Sequence, residues 1–200
     1  MAGPRRFPSL KRALFRIHQD LRTVVEGSSW WADYDKELSD IEILVLLLED
    51  RRFRHHWGID SRSLLRELIK LLTRRRHGGA STIDMQFVRT KTGFKERTLK
   101  RKSYEMLLAF LLQFQMGKLA ILRSYLSIVY LGWGIKGVDE GARVVFGKYL
   151  WQLNREELAT IAAMMVYPVP KNRTDSWAEK VAKRAEYGLR LFTRHAGRHK

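Results

Sequence analysis

One acidic pair, Glu49 and Asp50, combines the residue types and the surroundings that acid–base chemistry needs. It follows directly on the apolar run Ile41 to Leu48, which is typical of a buried helix. Basic and aromatic residues come next, in segment 51–57. Glu49 therefore faces desolvation and nearby cations at the same time. A carboxylate in such surroundings can accept a proton, or it can simply pair with an arginine at a surface.

A second carboxylate, Glu105, lies four residues after Arg101 and three after Lys102, just before the apolar run Met106 to Phe114. On a helix, these offsets put the three side chains on one face. The pattern fits an ordinary intrahelical ion pair, which contributes little to stability. It also fits two cations held beside a carboxylate in a binding site.

Helical periodicity accounts for the elements that must position these groups. Apolar side chains at three- and four-residue spacing predict helices over 5–26 and 61–76. Further helices are predicted to end near Glu49, to begin near Arg101, Lys118 and the capping box Asn154–Glu157, and to run from Trp177 to Phe192. The sequence therefore predicts a mainly α fold, with a basic amphipathic N-terminal helix in 1–29 and one domain in 30–200.

The charge of the chain points to a polyanionic partner. Net charge is +17, and residues 61–102 hold 13 Lys or Arg against three acidic residues. Nucleic acid, an anionic membrane surface and a phosphate-bearing substrate are all compatible with such a field. The absence of cysteine excludes a disulfide framework and a thiolate metal site.

The predicted N-terminal helix has an apolar stripe, which is Leu10, Leu14, Ile17, Leu21 and Val24. Such a stripe packs on a domain body more often than it lies on an anionic membrane, and we favour the first interpretation. No apolar run reaches the roughly 18 to 20 residues that span a bilayer. We therefore expect neither a transmembrane anchor nor a cleavable signal peptide in this chain.

Five ordered motifs give the chain a family resemblance. Glu49-Asp50-x-x-Phe53-x-x-His56-x-Gly58 resembles the first motif of the peptidoglycan glycosyltransferases, family 51 of the glycosyltransferases. This family includes monofunctional transglycosylases and the transglycosylase modules of penicillin-binding proteins. The other four motifs are matched by 77–89, by Arg101-Lys102-x-x-Glu105, by 118–127 and by the helix that ends before Pro168.

Residues of the second and fourth motifs depart from the family pattern. Asp84 and Met85 replace the usual Thr-Gln of the second motif, and we expect Asp84 to bring a negative charge near a phosphate site. Arg123 and Ser127 replace the usual Glu and Asn of the fourth motif. The loss of that Glu is expected to remove a carboxylate beside the cleft.

The resemblance implies a lysozyme-like, two-lobed fold and the polymerisation of lipid II into β-1,4 glycan strands, with release of lipid pyrophosphate. Glu49 would take the proton of the acceptor hydroxyl, and Glu105 would assist at the donor. The leaving group would be stabilised by cations, for which the candidates are Arg89, Arg101 and Lys102. Lesser candidates for substrate contact are Asp50, Ser81 and Gln86.

The resemblance also bears on cofactors, partners and location. A divalent cation, Mg²⁺ or Mn²⁺, is compatible with Glu105, although no dedicated metal cage is visible and His55-His56 do not form a metal-ligand pattern. The implied partners are lipid II, the growing glycan strand, an anionic membrane surface and other cell-wall synthesis proteins, but no nucleic acid. The implied location is the periplasmic face of the bacterial inner membrane.

Three other functions compete with the transferase. The first is a lysozyme-like hydrolase that uses Glu49 and Glu105 as its carboxylate pair. The second is a family relative that binds lipid II or glycan without polymerising it, which the four departures favour. The third is a nucleic-acid binder, which charge alone suggests.

Overall fold

The computed structural model describes residues 10–28, 37–73, 79, 81–96 and 98–197. Within these ranges the chain is mainly helical and has one two-stranded antiparallel sheet, so the predicted mainly α, lysozyme-like class is confirmed. The strands are β1 (Tyr130–Gly132) and β2 (Ile135–Lys136). The helices are α1 (Leu10–Val25), α2 (Asp40–Glu49), α3 (Ser61–Leu72), α4 (Ile83–Thr92), α5 (Leu99–Leu112), α6 (Lys118–Ile128), α7 (Val138–Phe146), α8 (Arg155–Met164) and α9 (Asp175–Ala196).

Helix α2 is the buried element that carries Glu49 as its last residue. Its side chains are almost all apolar, and Leu44 and Val45 are fully buried. Helices α8 and α9 pack along it. Ser39 occupies the N-cap, where its backbone N–H donates to the Glu42 carboxylate over 2.8 Å. Because α2 is capped at its N-terminus and packed along its length by α8 and α9, the position of Glu49 is set by the core of the domain.

Helices α4, α5 and α6 form a second packed group, and one loop ties it to the end of α2. The Thr82 hydroxyl caps α4 by accepting from Met85 N–H, and it donates to the Gly58 carbonyl over 2.6 Å. Gly58 has a φ of +72°, and a Cβ atom there would lie 2.2 Å from the Ala109 carbonyl oxygen. Only glycine allows this approach of the first motif to α5.

The apolar stripe of helix α1 is buried over one half of the helix and exposed over the other half. Leu21 and Val24 are buried against α4 and α5, and Tyr104 of α5 donates to Asp20 over 2.8 Å. Leu10 and Leu14, in contrast, are 75% and 57% exposed. The C-terminal half of α1 therefore packs on the domain, as we favoured, while the N-terminal half leaves its apolar side chains in solvent.

Two further outcomes concern helix ends. Helix α3 is described to Leu72, while the predicted end at position 76 falls on residues 74–78, which lie outside the described part, as do residues 5–9 of the first predicted helix. The Asn154 capping box is confirmed, because the Asn154 side chain accepts from Glu157 N–H and the Glu157 side chain accepts from Asn154 N–H. Among the helices that the structure describes, none combines the length and the apolar character needed to cross a membrane.

Candidate active site

Glu49 lies at the rim of a cavity and is held by an arginine from the other end of the chain. Arg184 of α9 donates from Nη2 to Glu49 Oε1 over 2.6 Å, and the Glu49 side chain is 14% exposed. A cavity of about 350 Å³ opens on the other side of the carboxylate. Its walls come from the end of α2, the loop that follows, α3 and the start of α4, and are Leu48, Glu49, Asp50, Arg51, Arg52, Asp60, Ser63, Arg66, Gly79, Ser81 and Thr82.

Three arginines and three carboxylates line the cavity, and each of the carboxylates already has a partner. Among the residues that the structure describes, neither Arg51 nor Arg66 forms a salt bridge with a carboxylate. Arg52 approaches Asp60 at 3.7 Å. Burial opposes ionisation of Asp60, but the Ser63 hydrogen bond and the charge of Arg52 outweigh it and lower the pKa. An anion could therefore approach Glu49 from this side.

Asp50, predicted as a substrate contact, is a buried link between three motifs. Its carboxylate accepts from Ile83 N–H over 3.1 Å and lies 3.1 Å from His56 Nε2. On the other side of the ring, Lys118 Nζ is 3.5 Å from His56 Nδ1. The amide at the start of α4 is thus taken by Asp50 and does not face a ligand. This arrangement indicates that Asp50 helps to position its neighbour Glu49.

The expectation that Asp84 lies near a phosphate site is wrong. Asp84 is fully buried, where it accepts from Lys118 over 3.0 Å and from Gln113 over 2.7 Å. Burial raises the pKa of this carboxyl, while the charge of Lys118 opposes the rise. The side chain points into the α4–α6 packing because it sits in the first turn of α4, on the face toward Lys118. Its charge is therefore balanced inside the protein.

The same cluster tests whether a metal ion fits. Ligand atoms of Asp50, His56 and Asp84 lie within 4.8 Å of one another, all buried. However, Lys118 Nζ already supplies a positive charge to Asp84 and approaches His56 Nδ1. An ammonium group and a divalent ion would repel each other at this distance. These residues do not fit a metal ion.

Glu105 is the centre of a second cationic cluster, in which the structure brings together the predicted leaving-group residues. The carboxylate is 1% exposed and forms an ion pair with Arg101. Burial raises the pKa of Glu105, against the opposing charges of Arg89, Arg101 and Lys102. Arg101 Nε is buried with no hydrogen-bond partner among the described residues. Three cations thus surround one carboxylate, so the cluster keeps an excess of positive charge.

Gln86 of α4 and Tyr125 of α6 join two of the packed helices. The Tyr125 hydroxyl donates to Gln86 Oε1 over 2.6 Å. Burial and the charge of Glu49 raise the pKa of Tyr125, while the charge of Arg89 opposes the rise. Tyr125 is therefore within electrostatic reach of both Glu49 and Arg89. The predicted site residues thus fall into a group around Glu105, with Arg89, Arg101 and Lys102, and a group that lines the cavity, which is Glu49, Asp50 and Ser81.

The departures in the fourth motif lie away from Glu49. Arg123 donates to Glu42 over 2.7 Å and to the Glu37 carbonyl over 3.0 Å, at the opposite end of α2. Ser127 donates to the Ser124 carbonyl over 2.8 Å. Met85 is 1% exposed and belongs to the core. Each departure thus has a local structural explanation.

Sequence reasoning missed Arg184, Lys118 and Tyr125 as members of the site. Tyr125 and Lys118 stand inside a recognised motif, which was the available signal. Arg184 lies on a helix whose pattern indicated only an amphipathic element, and 135 residues separate it from Glu49.

Comparisons with known proteins agree with the fold and with the family resemblance. A family model described as Transglycosylase matches residues 18–192. The chain is 39% identical over 125 residues to penicillin-binding protein 1A of Aquifex aeolicus. It is 38% identical over 137 residues to penicillin-binding protein 1A of Escherichia coli, and 32% identical over 154 residues to the biosynthetic peptidoglycan transglycosylase of Shewanella denitrificans. These alignments cover 62%, 68% and 77% of this chain, but 17%, 16% and 66% of the relatives.

The fold and the site together define a helical transglycosylase domain in which two glutamates are set among arginines. The chain belongs to the peptidoglycan glycosyltransferases, family 51 of the glycosyltransferases. The resemblance drawn from the five motifs is therefore confirmed.

Proposed function

We propose that this protein polymerises lipid II into β-1,4 glycan strands with release of lipid pyrophosphate, at the periplasmic face of the bacterial inner membrane. The observation that carries the proposal is the position of Glu49. Its carboxylate lines a cavity bordered by three arginines, and Tyr125 lies within electrostatic reach of both Glu49 and Arg89, a member of the cationic cluster around Glu105. Two phosphate-bearing substrates need two such regions beside one proton acceptor.

In the proposed reaction, an acceptor hydroxyl attacks the anomeric carbon of the donor. The hydroxyl proton passes to Glu49, the new glycosidic bond forms, and the bond from the anomeric carbon to the pyrophosphate oxygen breaks. The leaving pyrophosphate gathers negative charge, which the cluster around Glu105 stabilises. Glu105, buried and paired with Arg101, holds these cations in place. The donor set at Asp50, His56 and Asp84 does not fit a metal ion. The divalent cation that we propose for the reaction would therefore bind elsewhere, beside Glu105.

The direct experiment is incubation of the purified protein with labelled lipid II, followed by separation of glycan products by length. We expect a ladder of polymer, because both phosphate regions and the proton acceptor are present. Parallel reactions with and without Mg²⁺ or Mn²⁺ test the predicted cation. Lipid II that binds but stays monomeric would instead support the non-polymerising relative. Shortening of preformed glycan would support the hydrolase.

We also propose that the protein works on an anionic membrane surface, where a lipid-linked substrate resides. Three exposed aromatic rings form a contiguous patch: Trp57 lies 5.7 Å from Phe114, which lies 5.5 Å from Phe110. The N-terminal half of α1 adds exposed apolar side chains beside a row of cations, and these residues are Leu10, Lys11, Arg12, Leu14, Phe15 and Arg16. Aromatic rings with nearby cations suit the boundary between lipid headgroups and acyl chains.

This membrane proposal predicts binding to vesicles that contain phosphatidylglycerol, with affinity falling as salt rises. The double variant Trp57→Ser/Phe114→Ser should bind about tenfold more weakly, since it removes apolar surface from the patch. Co-sedimentation measures the bound fraction. Trp151→Ser is the matched control, because Trp151 is 81% exposed and lies beside Tyr149, away from this patch. Binding that ignores salt and both aromatic residues would contradict the proposal.

A further inference from the structure

Arg184 makes two contacts that join the Glu49 side chain to the backbone of its own helix. Its Nη2 donates to Glu49 Oε1 over 2.6 Å and to the Leu48 carbonyl over 3.2 Å. The Leu48 carbonyl is among the last of α2, where a helix leaves carbonyl groups without partners. A cation at this end also complements the helix dipole. One guanidinium group therefore caps α2 and fixes the direction of the Glu49 carboxylate.

Helices α9 and α2 pack closely enough for Arg184 to contact the end of α2. Gly188 lies one helical turn after Arg184, and a Cβ atom there would meet Leu48 Cδ1 at 3.1 Å. The two helices therefore approach closely at Leu48, beside the carbonyl that Arg184 contacts. Nearby, Arg51 donates to the Tyr187 hydroxyl over 2.6 Å, which ties the loop after Glu49 to the same stretch of α9.

We propose that Arg184 is a positioning residue for Glu49, holding Oε1 so that Oε2 is aimed at the acceptor hydroxyl. This inference rests on the function proposed above. Among the residues that the structure describes, none donates a hydrogen bond to Oε2, whereas Oε1 is taken by Arg184. The carboxylate thus has one anchored oxygen and one open oxygen, and the open one is available to take a proton.

The effect of Arg184 can be separated from the effects of the other groups that face Glu49. These groups are Tyr125 of α6 and the charged residues around the cavity, which are Asp50, Arg51, Arg52, Asp60 and Arg66. Among the described residues, the salt bridge to Glu49 comes from Arg184. The pair is largely buried, with the two side chains 23% and 14% exposed, so solvent screens it less than a surface pair. Removing Arg184 should therefore affect Glu49 more than removing one of the cavity arginines.

The test compares Arg184→Gln, Arg184→Lys and the matched control Arg190→Gln, which removes an exposed arginine of the same helix. Two readouts are needed. The first is the carbon-13 chemical shift of the Glu49 carboxyl without substrate, assigned with Glu49→Gln, which does not depend on turnover. The second is kcat and KM for lipid II.

We expect Arg184→Gln to change the carbon-13 shift of the Glu49 carboxyl, because Oε1 loses its guanidinium partner, and to lower kcat about 100-fold with little change in KM. Arg184→Lys should recover part of this loss, since it keeps the charge, yet leave kcat at least about tenfold below the wild-type value, since a flexible, strongly hydrated ammonium does not hold the position of a planar guanidinium. An unchanged Glu49 shift and kcat in folded Arg184→Gln would overturn the inference. If that variant does not fold, wild-type kcat in Arg184→Lys would overturn it. A wild-type protein inactive on lipid II would remove the proposed function, while the Glu49 shift would still decide the pairing of Arg184 with Glu49.

Discussion

Glu49→Gln is expected to lower the rate of lipid II polymerisation by at least about 10³-fold and to leave the fold unchanged. The amide has nearly the same shape as the carboxylate but cannot accept the proton of an acceptor hydroxyl. Its oxygen can still accept from Arg184, so the contact to α9 survives the change. The variant should therefore bind substrate normally and fail at bond formation.

Two measurements together make this result informative. Product ladders from labelled lipid II give the rate, and thermal unfolding gives the stability of the same samples. Glu186→Gln is the control, since it removes an exposed glutamate of α9 that pairs with Arg190. Equal loss of activity in the control would point to a general effect of charge. Near-normal polymer from Glu49→Gln would refute the assignment of Glu49 as the proton acceptor.

Local patterns indicate the candidate site residues because these residues lie close together in the chain. Glu49 ends an apolar helix, and Arg101 precedes Glu105 by one helical turn, so spacing alone placed each beside its surroundings. The cation of Arg89 joins Glu105 through packing of α4 on α5, and the matching motif order predicted that both would serve one site.

Partners that are distant in sequence could not be predicted in the same way. Asp84 is neutralised by Lys118, 34 residues later, and Glu49 by Arg184, 135 residues later. A hydrophobic pattern gives the buried face of a helix, but not which polar residue at the edge of that face will meet a charge on another helix. For this reason the sequence predicts Asp84 as a negative charge near a phosphate site, whereas Asp84 is buried and paired with Lys118.

The second large effect concerns that buried cation. Lys118→Met is expected to lower the free energy of unfolding by about 3–5 kcal/mol at neutral pH, the typical result of removing one partner of a buried ion pair. Lys118 Nζ serves both Asp84 oxygens, at 3.1 and 3.0 Å, and lies 4.5 Å from the centre of the Phe53 ring. Methionine can fill the space over the ring but cannot balance the charge.

The pH dependence follows from the same contacts. Burial already raises the pKa of Asp84, and the loss of Lys118 removes the charge that opposes this rise. A carboxyl with a raised pKa binds its proton more tightly in the folded chain than in the unfolded chain. The variant should therefore be most stable below the ordinary pKa of an aspartate and should lose stability as pH rises through the raised value. Chemical denaturation from acid to neutral pH measures this slope.

A double-mutant cycle then separates charge from packing. Asp84→Asn/Lys118→Met removes both charges, while the amide oxygen can still accept from Gln113. It should recover more than half of the stability that Lys118→Met loses, and its stability should not depend on pH through this site. Lys183→Met, which removes an exposed lysine of α9, should leave the free energy of unfolding unchanged. If the double variant were as unstable as Lys118→Met, the cost would lie in packing and not in the uncompensated carboxylate.

The same variants also test the candidate site, because Lys118 and Asp84 support the groups that fix the residue next to Glu49. Lys118 faces His56, His56 faces Asp50, and Asp50 holds the start of α4. A rescued fold in Asp84→Asn/Lys118→Met should therefore regain stability more fully than activity, since His56 has lost its cationic neighbour. Activity that returned in full would mean that Asp50 is held by His56 and Ile83 alone, and that Lys118 serves only to balance Asp84.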